Sequence, residues 1–115
     1  MRFLILAMLA SALTLGAQNP RTADVPAGNA ETGRRVYNTV GCYQCHGYEA
    51  QGPPRLAPRP LAFPAFSRYV RSPGGVMPPY TTKVLSAQQL ADIYSFLRTV
   101  PEPPPLESIP ALSGK

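Results

Sequence analysis

The chain has 115 residues, a length for which a single domain is the expectation. It is 44% hydrophobic and 15% charged, with a formal charge of +5. No Lys/Arg-rich run occurs and the aromatics are not interleaved with the basic residues, which excludes nucleic acid as the expected partner.

Residues 1–17 read as a cleavable secretory signal peptide. Met1-Arg2 supplies the positive end, Phe3 to Leu15 is apolar, and Gly16-Ala17 offers small residues before Gln18. The apolar run falls short of the roughly 18–20 residues that span a bilayer. No later stretch is longer, so no stable membrane insertion is expected after cleavage. Residues 18–27 read as a flexible leader. A first helix is expected from the N-cap Asn29, with Glu31 near its positive end, through Tyr37 to about Gly41. Val36, Tyr37 and Val40 are its expected buried face.

From Gly47 to Pro64 the chain is loop-like. A short helix follows, with Pro64 at its first position and Phe66, Tyr69 and Val70 on one face. Pro73-Gly74-Gly75 ends it. The last helix carries the clearest signals. Ser86-Ala87-Gln88-Gln89 has the form of a capping box, and Leu90, Ile93, Tyr94 and Leu97 repeat at i, i+3, i+4, i+7. Arg98 lies in its last turn and Pro101 stops it. Residues 101–115 hold five of the chain's 15 prolines and read as an extended, polyproline-like tail, weakly tied or free. No alternating strand pattern occurs, so the fold class is all-α: three main helices with long loops. So short and loop-rich a chain has difficulty building a sufficient core, and a disulfide, metal or cofactor is expected to complete it.

Cys42-Tyr43-Gln44-Cys45-His46 is C-x-x-C-H, the attachment signature of a c-type haem. Two thiols must reach two vinyl groups on one edge of the same macrocycle. Two intervening residues let the chain loop over that edge, and His46 then faces the iron. A thioredoxin-like disulfide shares C-x-x-C but belongs in a βαβ setting, which is missing here. A structural zinc site needs four ligands, and two Cys and one His supply three. A plain structural disulfide stays open in a secreted protein. Once the signal is removed, His46 is the one His and Met77 the one Met. Met77 is therefore the candidate for the second axial position, in the non-helical loop Gly74-Gly75-Val76-Met77-Pro78-Pro79-Tyr80. The competing reading is a Met that fills a core gap. A thioether ligand favours Fe(II) and raises the reduction potential relative to two imidazoles.

The motif, the M-P-P-Y segment and Gly33 with Tyr37, which match a G-x-x-x-[FY] pattern on the first helix, together resemble the monohaem class I cytochromes c of bacteria. The resemblance spans Gly28 to Val100, taken as a cytochrome c domain over 28–100. It implies a small all-α fold wrapped around one covalent haem c, with the first helix crossing the last at Gly33. Tyr94 and Leu97 look like the matching residues on the last helix. It also implies that the P-x-L of Pro54-Arg55-Leu56 supplies a carbonyl at Pro54 for His46 Nδ1 and a side chain at Leu56 for the haem face. Pro53 offers a register shifted by one, and a turn or packing role for both prolines competes. Arg71 either pairs with a haem propionate or is a solvated cation, and Tyr80 covers the haem edge near the distal loop.

The function implied is single-electron transfer in the periplasm. The one His is already assigned to the iron, which leaves no spare His for acid–base catalysis, so no enzyme is expected. Arg55, Arg59, Arg68, Arg71 and Lys83 lie in a stretch from Gln51 to Ala91 that has no Asp or Glu. That stretch is either a docking face for acidic redox protein partners or an ordinary solvated surface. Two further readings stand beside the free carrier. One is a haem-bearing subunit of a larger periplasmic dehydrogenase complex, with the tail lying along its partner. The other is a haem enzyme or gas sensor, which would require Met77 to leave the iron.

Overall fold

The computed structural model describes residues 25–112. The expected signal peptide over 1–17, most of the leader and the last three residues lie outside the described residues. Those described form four α-helices and one 3-10 turn, with no strand among them. The all-helical class is as the sequence implies. A one-turn helix on the C-x-x-C-H motif joins the three expected helices.

Helix α1 spans Ala30–Thr39. Asn29 accepts the Thr32 N–H at 2.8 Å through Oδ1, so the cap satisfies one of the donors that every helix start leaves open. Helix α2 spans Tyr43–His46, α3 Phe63–Arg71 and α4 Ala87–Thr99. Pro64 falls at the second helical position of α3, not the first, because Ala62 is the N-cap. Either position suits proline, since neither N–H has a partner within the helix. The α4 box closes in both directions: Ser86 Oγ accepts from Gln89 N at 3.1 Å and Gln89 Oε1 accepts from Ser86 N at 2.8 Å. Ser86→Ala removes one arm of it. Chemical denaturation of the purified protein is expected to show a loss of about 1 kcal/mol, and an unchanged midpoint would mean that the cap holds nothing.

Helices α1 and α4 form the main packing pair. At their crossing a Cβ on Gly33 would overlap the carbonyl oxygen of Asp92 and lie 2.8 Å from Ile93 N. Only a residue without a side chain permits that approach. Tyr37, one turn on, is fully buried and meets Phe96 edge-on, with centroids 5.4 Å apart. The aromatic that meets Tyr37 is thus Phe96 and not Tyr94, while Leu97 is fully buried as expected of a crossing residue. Tyr94 instead packs on α3, 5.1 Å from Phe63 and 5.3 Å from Phe66. Phe96 and Tyr94, two positions apart, project towards different neighbours because α4 is sandwiched between α1 and α3. Its buried set is accordingly wider than one stripe and includes Ala91, Asp92 and Phe96. The Asp92 carboxylate is not orphaned: Oδ1 accepts from Asn29 N at 2.8 Å and from Gln88 Nε2 at 3.0 Å.

Val36 and Val40 are half-buried rather than core. On α3, Phe66 and Val70 are buried but Tyr69 is 47% exposed. Residues i and i+4 of that short helix suffice to cover the neighbouring helix, and i+3 falls on the rim. Arg34 lies over the Phe96 ring at 4.7 Å and forms a two-pronged pair with Glu49, 2.7 and 3.0 Å. The hydrogen bond from Arg34 holds the Glu49 carboxyl below its usual range. This pair ties α1 to the loop beyond α2. The tail also departs from the extended form expected. Its root is fastened by Gln51 Nε2 to Pro101 O at 2.7 Å and by an Arg59–Glu102 ion pair, and Leu106–Ser108 forms the 3-10 turn.

No helix among the described residues is long and apolar enough to cross a membrane.

Candidate functional site

The motif is presented by a chain reversal straight off α1. Gly41 and Gly47, with φ of +84° and +76°, flank it in the left-handed region that glycine tolerates. Cys42 N–H donates to Tyr37 O at 3.1 Å, which launches α2 from the end of α1. His46 N–H reaches back to Cys42 O at 3.1 Å, closing the turn. The buried Tyr37 hydroxyl then donates to Gly47 O at 2.7 Å and fixes the far end. Burial raises the Tyr37 pKa, so the phenol stays protonated as this bond requires. Cys42, Cys45 and His46 stand at i, i+3 and i+4 of this turn, spacings that share one helical face. Cys42 is half-buried and Cys45 exposed. Burial pushes the Cys42 thiol up to about 11, neutral at ordinary pH.

His46 is buried, and its Nδ1 lies 3.0 Å from Pro54 O. A carbonyl oxygen can only accept, so Nδ1 carries the proton. Nε2 is then the nitrogen left with a lone pair for a ligand. The register is that of Pro54, not Pro53. The loop is wound tightly enough to deliver this carbonyl. Gly52 N–H donates to His46 O at 2.9 Å, and Leu56 and Ala57 N–H both donate to Ala50 O, at 2.9 and 3.0 Å. Ala50 and Ala57 are fully buried beneath it.

Leu56, Met77 and Tyr80 are half-buried and pack on the edge of the core, alongside Val40, Cys42, Tyr43 and Phe63. Tyr80 Oη donates to Val40 O at 3.1 Å, so the distal segment is stitched to the residue that precedes the motif turn. Arg71 is not a free cation. Its Nη1 donates to Tyr80 O at 2.8 Å and to Leu85 O at 2.7 Å. Sequence reasoning had no signal for this role, nor for the carbonyls of Val40 and Leu85, because a backbone acceptor leaves no mark in residue identity.

These features fit a haem. The two thiols share a face with a histidine whose ring is already oriented. The one described Met and a set of half-covered apolar side chains pack against the core, and Tyr80, three residues after that Met, is bonded to Val40 beside the motif. Among the described residues no three His, Cys, Asp or Glu side chains group as an ion-binding cluster, so the zinc alternative finds no ligand set.

A family model described as cytochrome c oxidase, cbb3-type, subunit III matches residues 28–97. The chain belongs to this family of c-type cytochrome domains. Membership makes it a monohaem c-type cytochrome and implies haem-based electron transfer. Comparison of this cytochrome with curated proteins and with solved structures gave no match.

In this cytochrome the chain's own residues have separable tasks. Gly33 and Tyr37 seat α1 on α4, the paired glycines bound the motif turn, and the Pro54 carbonyl holds the histidine ring. Arg71 and Tyr80 fasten the segment bearing Met77.

Proposed function

We propose that this cytochrome binds one haem c covalently through thioethers at Cys42 and Cys45, with His46 and Met77 as axial ligands, and passes single electrons between redox proteins in the periplasm. The observation that carries the reading is the bond from His46 Nδ1 to Pro54 O at 3.0 Å. It fixes tautomer and ring orientation as ligating histidines require. The haem supplies an iron that cycles between Fe(III) and Fe(II). The chain supplies the two thiols, the oriented imidazole, a thioether on a fastened loop, and apolar cover from Leu56 and Tyr80. His46 and Met77 would hold the iron between them and leave no position for a substrate, so the protein's task would be to set the potential and present an edge.

Export through residues 1–17 places the chain where c-type haem is attached. Arg55, Arg68 and Lys83 are exposed and lie within the stretch that lacks carboxylates. They favour a brief encounter with an acidic face on a partner. Arg59 is drawn out of this set by Glu102.

A second reading has its own support. The matched family is described as an oxidase subunit, and Leu106 and Leu112 on the tail are 58% and 61% exposed. Both favour a haem-bearing subunit held in a larger periplasmic complex. Deleting the chain after Pro101 separates the two. A free carrier keeps its electron-transfer rates, whereas a subunit co-purifies with its complex only when the tail is present.

The ligand assignment is tested by the visible spectrum of the dithionite-reduced protein with and without carbon monoxide. Sharp low-spin bands that do not change under the gas are expected. A shift would mean an open or labile sixth position, and the carrier reading would yield to a gas-binding one.

A further inference from the structure

The segment carrying Met77 is fastened at its two ends and little in between. Upstream, α3 stops at Arg71, and Ser72 N–H bonds to Arg68 O at 2.9 Å. Downstream, Tyr80 is held three times. Its N–H donates to Val70 O at 3.0 Å, its carbonyl accepts from Arg71 Nη1 at 2.8 Å, and its hydroxyl donates to Val40 O at 3.1 Å. Arg71 Nη1 spends its second hydrogen on Leu85 O at 2.7 Å, whose own N–H bonds to Thr81 O at 2.9 Å. One guanidinium nitrogen therefore joins α3 to the segment that leads into α4.

The middle of the loop has little packing. Val76 is fully exposed, and a Cβ at Gly75 would touch nothing within 4 Å. Pro73, Pro78 and Pro79 stiffen the loop but donate no backbone hydrogen bonds. Met77 itself is half-buried against the edge of the core and Tyr69 Oη reaches Gly74 O at 3.5 Å, but the firm hydrogen bonds of the segment lie at its ends, and the strongest of these are the charge-assisted pair from Arg71.

We propose that Arg71 is a positioning residue for the Met77 ligand, acting through the carbonyls of Tyr80 and Leu85 rather than by contact with the metal. The proposal rests on the reading of Met77 as an axial ligand. A thioether is a neutral, weak ligand, and it holds its place against external ligands because the loop keeps it at high effective concentration. Loosening the Tyr80 anchor lowers that concentration.

The test is a titration of the ferric holoprotein with imidazole, followed in the visible spectrum, for the native chain and for Arg71→Gln, Tyr80→Phe, the double variant and Met77→Ala. Arg71→Gln is expected to bind imidazole about tenfold more tightly or more, the scale of a lost hydrogen bond to a charged group. Tyr80→Phe, which loses only the bond to Val40, is expected to tighten binding a few-fold. The double variant is expected to fall short of the product of the two changes, since both act on one anchor. The potential is expected to fall with the weaker sulfur. If Arg71→Gln does not fold, Arg71→Lys, which keeps the charge at a shorter reach from the Tyr80 and Leu85 carbonyls, decides through the same imidazole affinity.

Native affinity in these variants, alongside a large increase in Met77→Ala, overturns the positioning role and leaves the ligand reading intact. A shifted potential with unchanged imidazole affinity likewise overturns it, in favour of pairing with a propionate. If Met77→Ala itself matches the native chain, the ligand reading fails and the proposal with it.

Discussion

Gly33→Ala is expected to be among the most damaging single substitutions in the chain. The added methyl group would overlap the Asp92 carbonyl, and backbone cannot rotate away as a side chain can. Relief requires α1 and α4 to move apart. That separation would part Tyr37 from Phe96 and stretch the bond from Asn29 N to Asp92 Oδ1, 2.8 Å in the native chain. Overpacking costs typically 1–3 kcal/mol and more where the neighbour cannot yield. A loss of about 3 kcal/mol would lower the thermal midpoint of so small a domain by roughly 12–24 °C. Tyr37 also donates to Gly47 O, so the damage should reach the motif turn and broaden the spectrum of the folded fraction. Gly74→Ala is the control, because a Cβ there meets nothing nearer than 3.9 Å and its midpoint should not move by more than a degree or two. Thermal unfolding of the two variants side by side checks the crossing. A Gly33→Ala protein as stable as the control would mean that the helices do not touch there.

The second large effect is expected from Cys42→Ala with Cys45→Ala. The native chain, denatured and weighed by mass spectrometry, is expected to exceed its polypeptide mass by one haem. Each single variant retains one thioether site, and the double variant retains none. If the haem is the cover of the half-buried apolar set at Val40, Tyr43, Leu56, Phe63, Met77 and Tyr80, loss of attachment would also uncover that set. Exposing that surface costs about 25 cal/mol per Å², and a domain stable by roughly 5–15 kcal/mol has little margin for it. The double variant should therefore lose helical circular dichroism as well as colour. Haem that survives denaturation in the double variant would place the attachment elsewhere and remove the basis for His46 as proximal ligand.

Where the determinants of this cytochrome are local in the chain, residue identity was enough to read them. The caps at Asn29 and Ser86, with Gln89 reaching back, involve atoms three residues apart. C-x-x-C-H is a five-residue pattern, and Met77 enters the proposed ligand pair by counting. Gly33 and Tyr37 were legible because a four-residue spacing on one helix is local too. Tertiary structure decided what those residues meet. It seated Tyr37 on Phe96 instead of Tyr94, because the crossing of two helices selects the contacting residue and periodicity on one helix does not report that crossing. It placed Tyr69 on the rim of α3 and chose Pro54 over Pro53, since the winding of a loop fixes where a carbonyl points. It also sent Arg71 to two backbone oxygens. Every peptide unit offers the same oxygen, so a side chain that finds its partner in the backbone across the fold leaves no trace in the sequence.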